Sequence, residues 1–146
     1  MQKTYYPKAA EITRTWYLAD ASGQTLGRLA SRVASALLGK RKPSFTPGVQ
    51  GGDYVIVINA EKVSVTGTKT SMKLDSKMYH HHSGYPGGIK AVSLRGQLEV
   101  HPDRALRAAV WGMLPHNKMG RATLRRLKIY GGAHHPHGLQ KPEPLK

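Results

Sequence analysis

The chain has 146 residues, enough for one domain that buries about two thirds of the surface its unfolded form exposes and cramped for two. Its 23 Lys and Arg against 8 Asp and Glu give a formal net charge of +15, a load that repels itself unless a polyanion neutralises it, and nucleic acid is the first candidate. Cysteine is absent, which excludes disulfides, thiolate metal sites and a cysteine nucleophile. No apolar run approaches the roughly 18 residues of a membrane span, and residues 1–16 lack a signal-peptide stretch. A soluble protein of a reducing cytoplasm is expected. The hydrophobic fraction of 39% exceeds that of a disordered polycation, so the charge sits on a folded body.

Residues 16–20 (WYLAD) read as a strand, followed by turn residues 21–23. A helix comes next, with Thr25 as N-cap and Gly39 as its C′ stop. Leu26, Leu29, Ala30, Val33, Ala34 and Leu37 recur at i, i+3, i+4 spacing, the stripe of a helix packed on a sheet. Lys40, Arg41 and Lys42 precede Pro43 and open a Gly and Pro punctuated loop through Gly52, a candidate contact surface. Residues 54–58 (YVIVI) form the β-branched run of a strand covered on both faces, so strand, helix, strand reads as a βαβ unit in a parallel sheet. Residues 59–67 carry no firm assignment, 68–75 read as a polar loop or one helical turn, and 77–82 as a weak third strand.

GYPGG at 84–88 must turn. Ser93 caps a short helix through Val100. Pro102 at N1 and Asp103 in the first turn open another, with Ala105, Leu106, Ala109 and Val110 as its buried side and Gly112 as its stop. Beyond Pro115, a third helix spans about 118–127, and a short strand at 128–130 closes the core. These elements make an α/β protein, one domain over 1–146 with extended basic termini at 1–14 and 131–146.

From Arg104 to Pro142 the chain runs thirty-nine positions without Asp or Glu. At about 100° per residue, Lys118, Arg121 and Arg125 fall on one side of the third helix with Arg126 beside them, while Leu124 and Leu127 point away. A merely solvated helix face carries interleaved acids in i,i+4 pairs. Their lack here points to phosphate. A DNA-binding basic protein is the alternative partner class, although no helix-turn-helix or zinc motif accompanies the charge.

His80, His81 and His82 are consecutive, and His134, His135 and His137 cluster near the end. Successive side chains diverge on any regular backbone, and neither group has the helical i,i+4 spacing or cysteine partner of zinc sites. Hydrogen bonding to phosphate, stacking on unpaired bases or plain surface placement suits them better, with Tyr79 and Tyr85 flanking the first group amid Lys77 and Lys90. No metal or other cofactor is expected. The glycine patterns match neither G-x-G-x-x-G nor the P-loop. Asp20 and Asn59 sit at carboxyl ends of strands, where α/β sheets place ligands, yet eight thinly spread acids leave few carboxylate pairs. Enzymatic activity is not expected.

Five segments carry a familial pattern: DASGQTLGRLAS (20–31), LLGKRKPSFTPGVQGGDYVIVINAEKVSVTG (37–67), KMYHHHSGYPGG (77–88), HPDRALRAAVWGMLPHNKMGR (101–121) and LKIYGGAHHPH (127–137). In order and spacing they resemble the bacterial large-subunit ribosomal protein L13 family, and GMLP followed by a basic helix and a Lys-x-Tyr-x-Gly strand is its most specific element. The resemblance implies a three-layer α/β/α domain on a four-stranded, mostly parallel sheet. It also implies a structural part of the large ribosomal subunit that binds its large RNA, contacts neighbouring ribosomal proteins and acts early in assembly, with no catalysis, cofactor, membrane or small-molecule substrate. His80 to His82 and the pair His116 and Asn117 depart from the usual pattern of the family. The expected RNA contacts are Lys40, Arg41, Lys42, Lys118, Arg121, Arg125, Arg126 and Lys128 on phosphates, joined by Tyr79, His80, His82, Tyr85, Lys90, His134, His135 and His137.

Overall fold

A computed structural model describes residues 4–66 and 74–145, so the segment 68–75 lies outside the described residues except for its last two. Strand β1 (Trp16–Asp20) leads into helix α1 (Leu26–Leu38), and the apolar stripe foreseen for α1 is buried throughout. Gly39 ends the helix at φ 80°; its N–H donates to Ala36 O and that of Lys40 to Ser35 O, a Schellman closure. Thr25 occupies the N-cap, but its hydroxyl makes no capping bond. The N–H of Leu26 donates to Ser64 O instead, across a bridge between Thr25 and Ser64.

Strand β2 (Tyr54–Ile58) pairs parallel with β1 in the register Trp16 with Tyr54 through Asp20 with Ile58. The expected third strand is Met78–His82 (β3), and it leaves the main sheet. It pairs antiparallel with β4 (Ile89–Ser93) in a hairpin whose tip bears the Gly88 N–H to Tyr85 O bond. Pro86 and Gly87, the latter at φ 70°, occupy the two central positions of that turn, as a type II geometry requires. Ser93 caps α2 (Leu94–Val100), its hydroxyl accepting from Gly96 N. Helices α3 (Pro102–Trp111) and α4 (Lys118–Leu124) follow. The chain leaves α4 three residues earlier than the sequence suggests, because Leu127–Ile129 forms β5 beside β2.

The fourth strand of the parallel sheet is β6, Glu143–Pro144, which pairs with β1 at the edge and gives the order β5-β2-β1-β6. No period-2 pattern announces so short a strand, and its proline is tolerated because an edge strand leaves one side unpaired. From β1 to β2 and from β2 to β5 the chain steps in the same direction across the sheet, so right-handed crossovers put their helices on one face. The core lies there: Leu29, Val33 and Leu37 of α1 with Leu106 and Val110 of α3 on Val55, Val57 and Leu127. The return from β5 to β6 crosses the whole sheet, and its 131–142 tail covers the second face. That outer layer contains a single 3-10 turn, Gly138–Gln140, among the described residues. Trp16 and Tyr54 stack there at 4.3 Å, His137 lies 5.3 Å from Trp16, and the Tyr130 hydroxyl bonds His137 Nε2 at 2.8 Å.

Candidate nucleic-acid interface

On α3, Arg104, Arg107, Ala108 and Trp111 recur at i, i+3, i+4 and i+7, which aligns them on the face away from buried Ala105, Leu106 and Val110. On α4 and its C-cap, Arg121, Leu124 and Arg125 make the matching stripe. The two stripes face one another across a cleft of about 500 Å³. Ala108, Trp111 and Leu124 line it together with the side chains of four arginines, Arg104, Arg107, Arg121 and Arg125. Asp103 is within 3.5 Å of Arg107, in an exposed i,i+4 pair that neutralises little of this charge. Arg107 and Arg125 also border an adjoining hollow with Lys128 and Tyr130, which extends the cationic surface onto β5.

The position of α4 depends on contacts made before it begins. Asn117 caps it, its side-chain oxygen accepting from Gly120 N at 2.8 Å. Gly120 is pressed so closely on the GMLP turn that a Cβ there would lie 1.7 Å from Pro115 O. The imidazole of His116 sits 4.5 Å from the indole of Trp111, bracing that ring from the same turn.

The expected phosphate contacts divide on inspection. Arg121 and Arg125 line the cleft, Lys128 borders the hollow, and Lys118 is exposed in the first turn of α4 but outside the cleft wall. Arg126 belongs to the interior: it is 7% exposed, with Nη1 donating to Gly52 O and Nη2 to Gln50 Oε1. Burial, then the neighbouring Arg14 charge, lowers its pKa from the ordinary guanidinium value. In the loop after α1, Lys40 and Arg41 are exposed, whereas Lys42 turns inward. Its ammonium donates to Asp53 Oδ1 at 2.5 Å, Thr13 O at 2.7 Å and Gly51 O at 3.2 Å.

Tyr79, His80, His82, Tyr85 and Lys90 share the hairpin but not one face of it. Cross-strand register groups His80 and His82 with Ala91 and Ile89, and Tyr79 with His81, Lys90 and Val92. Tyr85 at the tip is 76% exposed, while burial raises the pKa of Tyr79. Of the second histidine group, His134 is exposed. His135 Nδ1 accepts from His137 N, and His137 is held against Trp16 and Tyr130, so both serve the docking of the tail. Among the described residues no three His, Asp or Glu converge as a metal site. At the strand ends, Asp20 Oδ1 accepts from Ser22 N and Asn59 Nδ2, each at 2.9 Å, and these bonds lower its pKa. The pair ties two strand ends together.

The sequence profile described as "Ribosomal protein L13" matches residues 14–136. The chain belongs to the ribosomal protein L13 family. Its relatives include the "Large ribosomal subunit protein uL13" of Chloroflexus aurantiacus, 54% identical over 97% of this chain and 96% of that protein. The uL13 of Symbiobacterium thermophilum is 53% identical over 100% and 99%, and that of Thermotoga maritima 54% over 100% and 95%. Members of the L13 family are structural components of the ribosome and not enzymes.

Within this L13 chain, Arg104, Arg107 and Trp111 line the cleft, and the sequence reading passes over them. Their signal was present: the acid-free window begins at Arg104, and the spacing of the three places them on one helical stripe. What hid them was that α3 reads from its apolar positions as a core helix, and nothing in the linear order says which helix its other face meets.

Proposed function

We propose that this chain is a constituent of the large ribosomal subunit that binds the large-subunit RNA as one domain. Its central contact is the cleft between α3 and α4. The convergence of four arginines from two helices on that cleft carries the reading. Arginine forks bind phosphate oxygens bidentately and release condensed counterions, which drives association without reading sequence. Lys118 and Lys128 extend the contact along α4 and β5, Lys40 and Arg41 add a second one, and the hairpin with Tyr85 at its tip reaches toward loops or unpaired bases. Neighbouring large-subunit proteins and the cytoplasmic ribosome complete its setting. As the resemblance to the L13 family implies, it joins its RNA early in subunit assembly.

The test replaces Arg121 and Arg125 by Glu and leaves buried Arg126 alone. The double variant is expected to melt cooperatively like the parent and to be missing from large subunits on a sucrose gradient. Normal co-sedimentation with mature subunits would overturn the proposal, as would equal retention of the parent by duplex DNA and ribosomal RNA at matched salt.

A further inference from the structure

The cleft between α3 and α4 is an unusual shape for a site that only grips phosphates. Phosphate oxygens need donors, and a convex basic surface supplies them; an indole and a leucine facing a concavity add nothing to that task. Here Trp111 is half-buried and lines the cleft together with Leu124, Ala108 and the side chains of Arg104, Arg107, Arg121 and Arg125. At about 500 Å³ the space falls within the roughly 300–1,000 Å³ range of clefts that hold small organic ligands. Trp111 already packs against the core and against the His116 ring 4.5 Å away, so part of its side-chain freedom is lost before anything stacks on it.

We infer that this cleft receives a single unstacked nucleotide of RNA, its base against Trp111 and Leu124 and its flanking phosphates on the surrounding arginines. The inference rests on the RNA-binding reading above and narrows it. Charge complementarity selects the occupant: four cations with one exposed acid at their edge fit a phosphodiester, and the apolar wall fits the flat face of a base. An apolar peptide segment would leave the arginines without partners. The site therefore prefers a bulge, loop or strand end to continuous duplex, whose bases are stacked and out of reach.

The experiment uses the full chain with three probes: an unstructured eight-nucleotide RNA, a fully paired RNA duplex of the same length, and adenosine monophosphate. The chain has two tryptophans, Trp16 and Trp111, so the fluorescence difference between parent and Trp111→Phe isolates the cleft. The single strand is expected to quench that signal and the duplex to leave it unchanged. Trp111→Ala should weaken single-strand binding roughly 5- to 150-fold while leaving the salt slope as it was, and Trp111→Phe should restore most of the affinity. Arg121→Ala should instead reduce the salt slope.

If Trp111→Ala binds single strand like the parent while the arginine variants fail, the stacked base is wrong and the phosphate contact stands. If neither affects binding, both readings fall. Saturation of the quench by the mononucleotide at the same concentration as the eight-mer would reassign the cleft to free nucleotides. A cooperative melt of each variant separates these results from unfolding.

Discussion

Lys42 has three N–H donors, and each meets a protein acceptor: Asp53 Oδ1, Thr13 O and Gly51 O. Nothing in the run Lys40, Arg41, Lys42 distinguishes the three, because sequence reports charge and not desolvation. Asp53 is 3% exposed, so removing its cation leaves a carboxylate in the interior. Lys42→Met is expected to destabilise the protein by about 2–3 kcal/mol, at the lower edge of buried-pair losses because the lysine keeps some contact with water, while Lys40→Met stays within about 0.5 kcal/mol. Urea denaturation of both variants checks this, and equal stabilities would refute the structural role of Lys42. Arg126 and His137 are parallel cases, cations or polar rings read from the sequence as RNA contacts and found holding the loop and the tail in place.

Helix α4 is only as well placed as the turn that launches it. Seven residues are too few to be stable alone, so the helix depends on its Asn117 cap and on the contact of Gly120 with Pro115. Gly120→Ala is expected to lower stability by about 2–4 kcal/mol, since its Cβ would meet backbone that cannot move aside cheaply. The same variant should weaken RNA retention, because Arg121 and Arg125 shift with the helix. A thermal melt and a filter-binding assay on one preparation test both, and an unchanged melt would show that the turn yields easily. The strands illustrate the opposite limit of legibility. β1 and β2 were readable from five-residue runs, but β3 was assigned without its partner, since the Ile89–Ser93 strand merges in sequence with the helix after it.

For the molecule as a whole, the charge of +15 sets two salt responses of opposite sign. Self-repulsion in the free protein is screened by salt, so its melting temperature should rise between about 10 mM and 300 mM salt. RNA affinity should fall over the same range, with a log-log slope of about −0.7 to −0.9 for each phosphate neutralised. A melting temperature indifferent to salt would mean that the charges are already compensated within the fold. The sequence by itself determined the α/β class and the main helices, because periodicity and helix stops are properties of neighbours along the chain, and the family, because its motifs stand in order along the chain. The tertiary structure alone decided which cations remain on the surface, that β3 pairs in a hairpin, that Pro144 closes the sheet edge, and that Arg104, Arg107 and Trp111 meet Arg121 and Arg125 across a cleft. Burial and convergence depend on residues far apart in sequence, and the residues themselves carry no mark of whom they will meet.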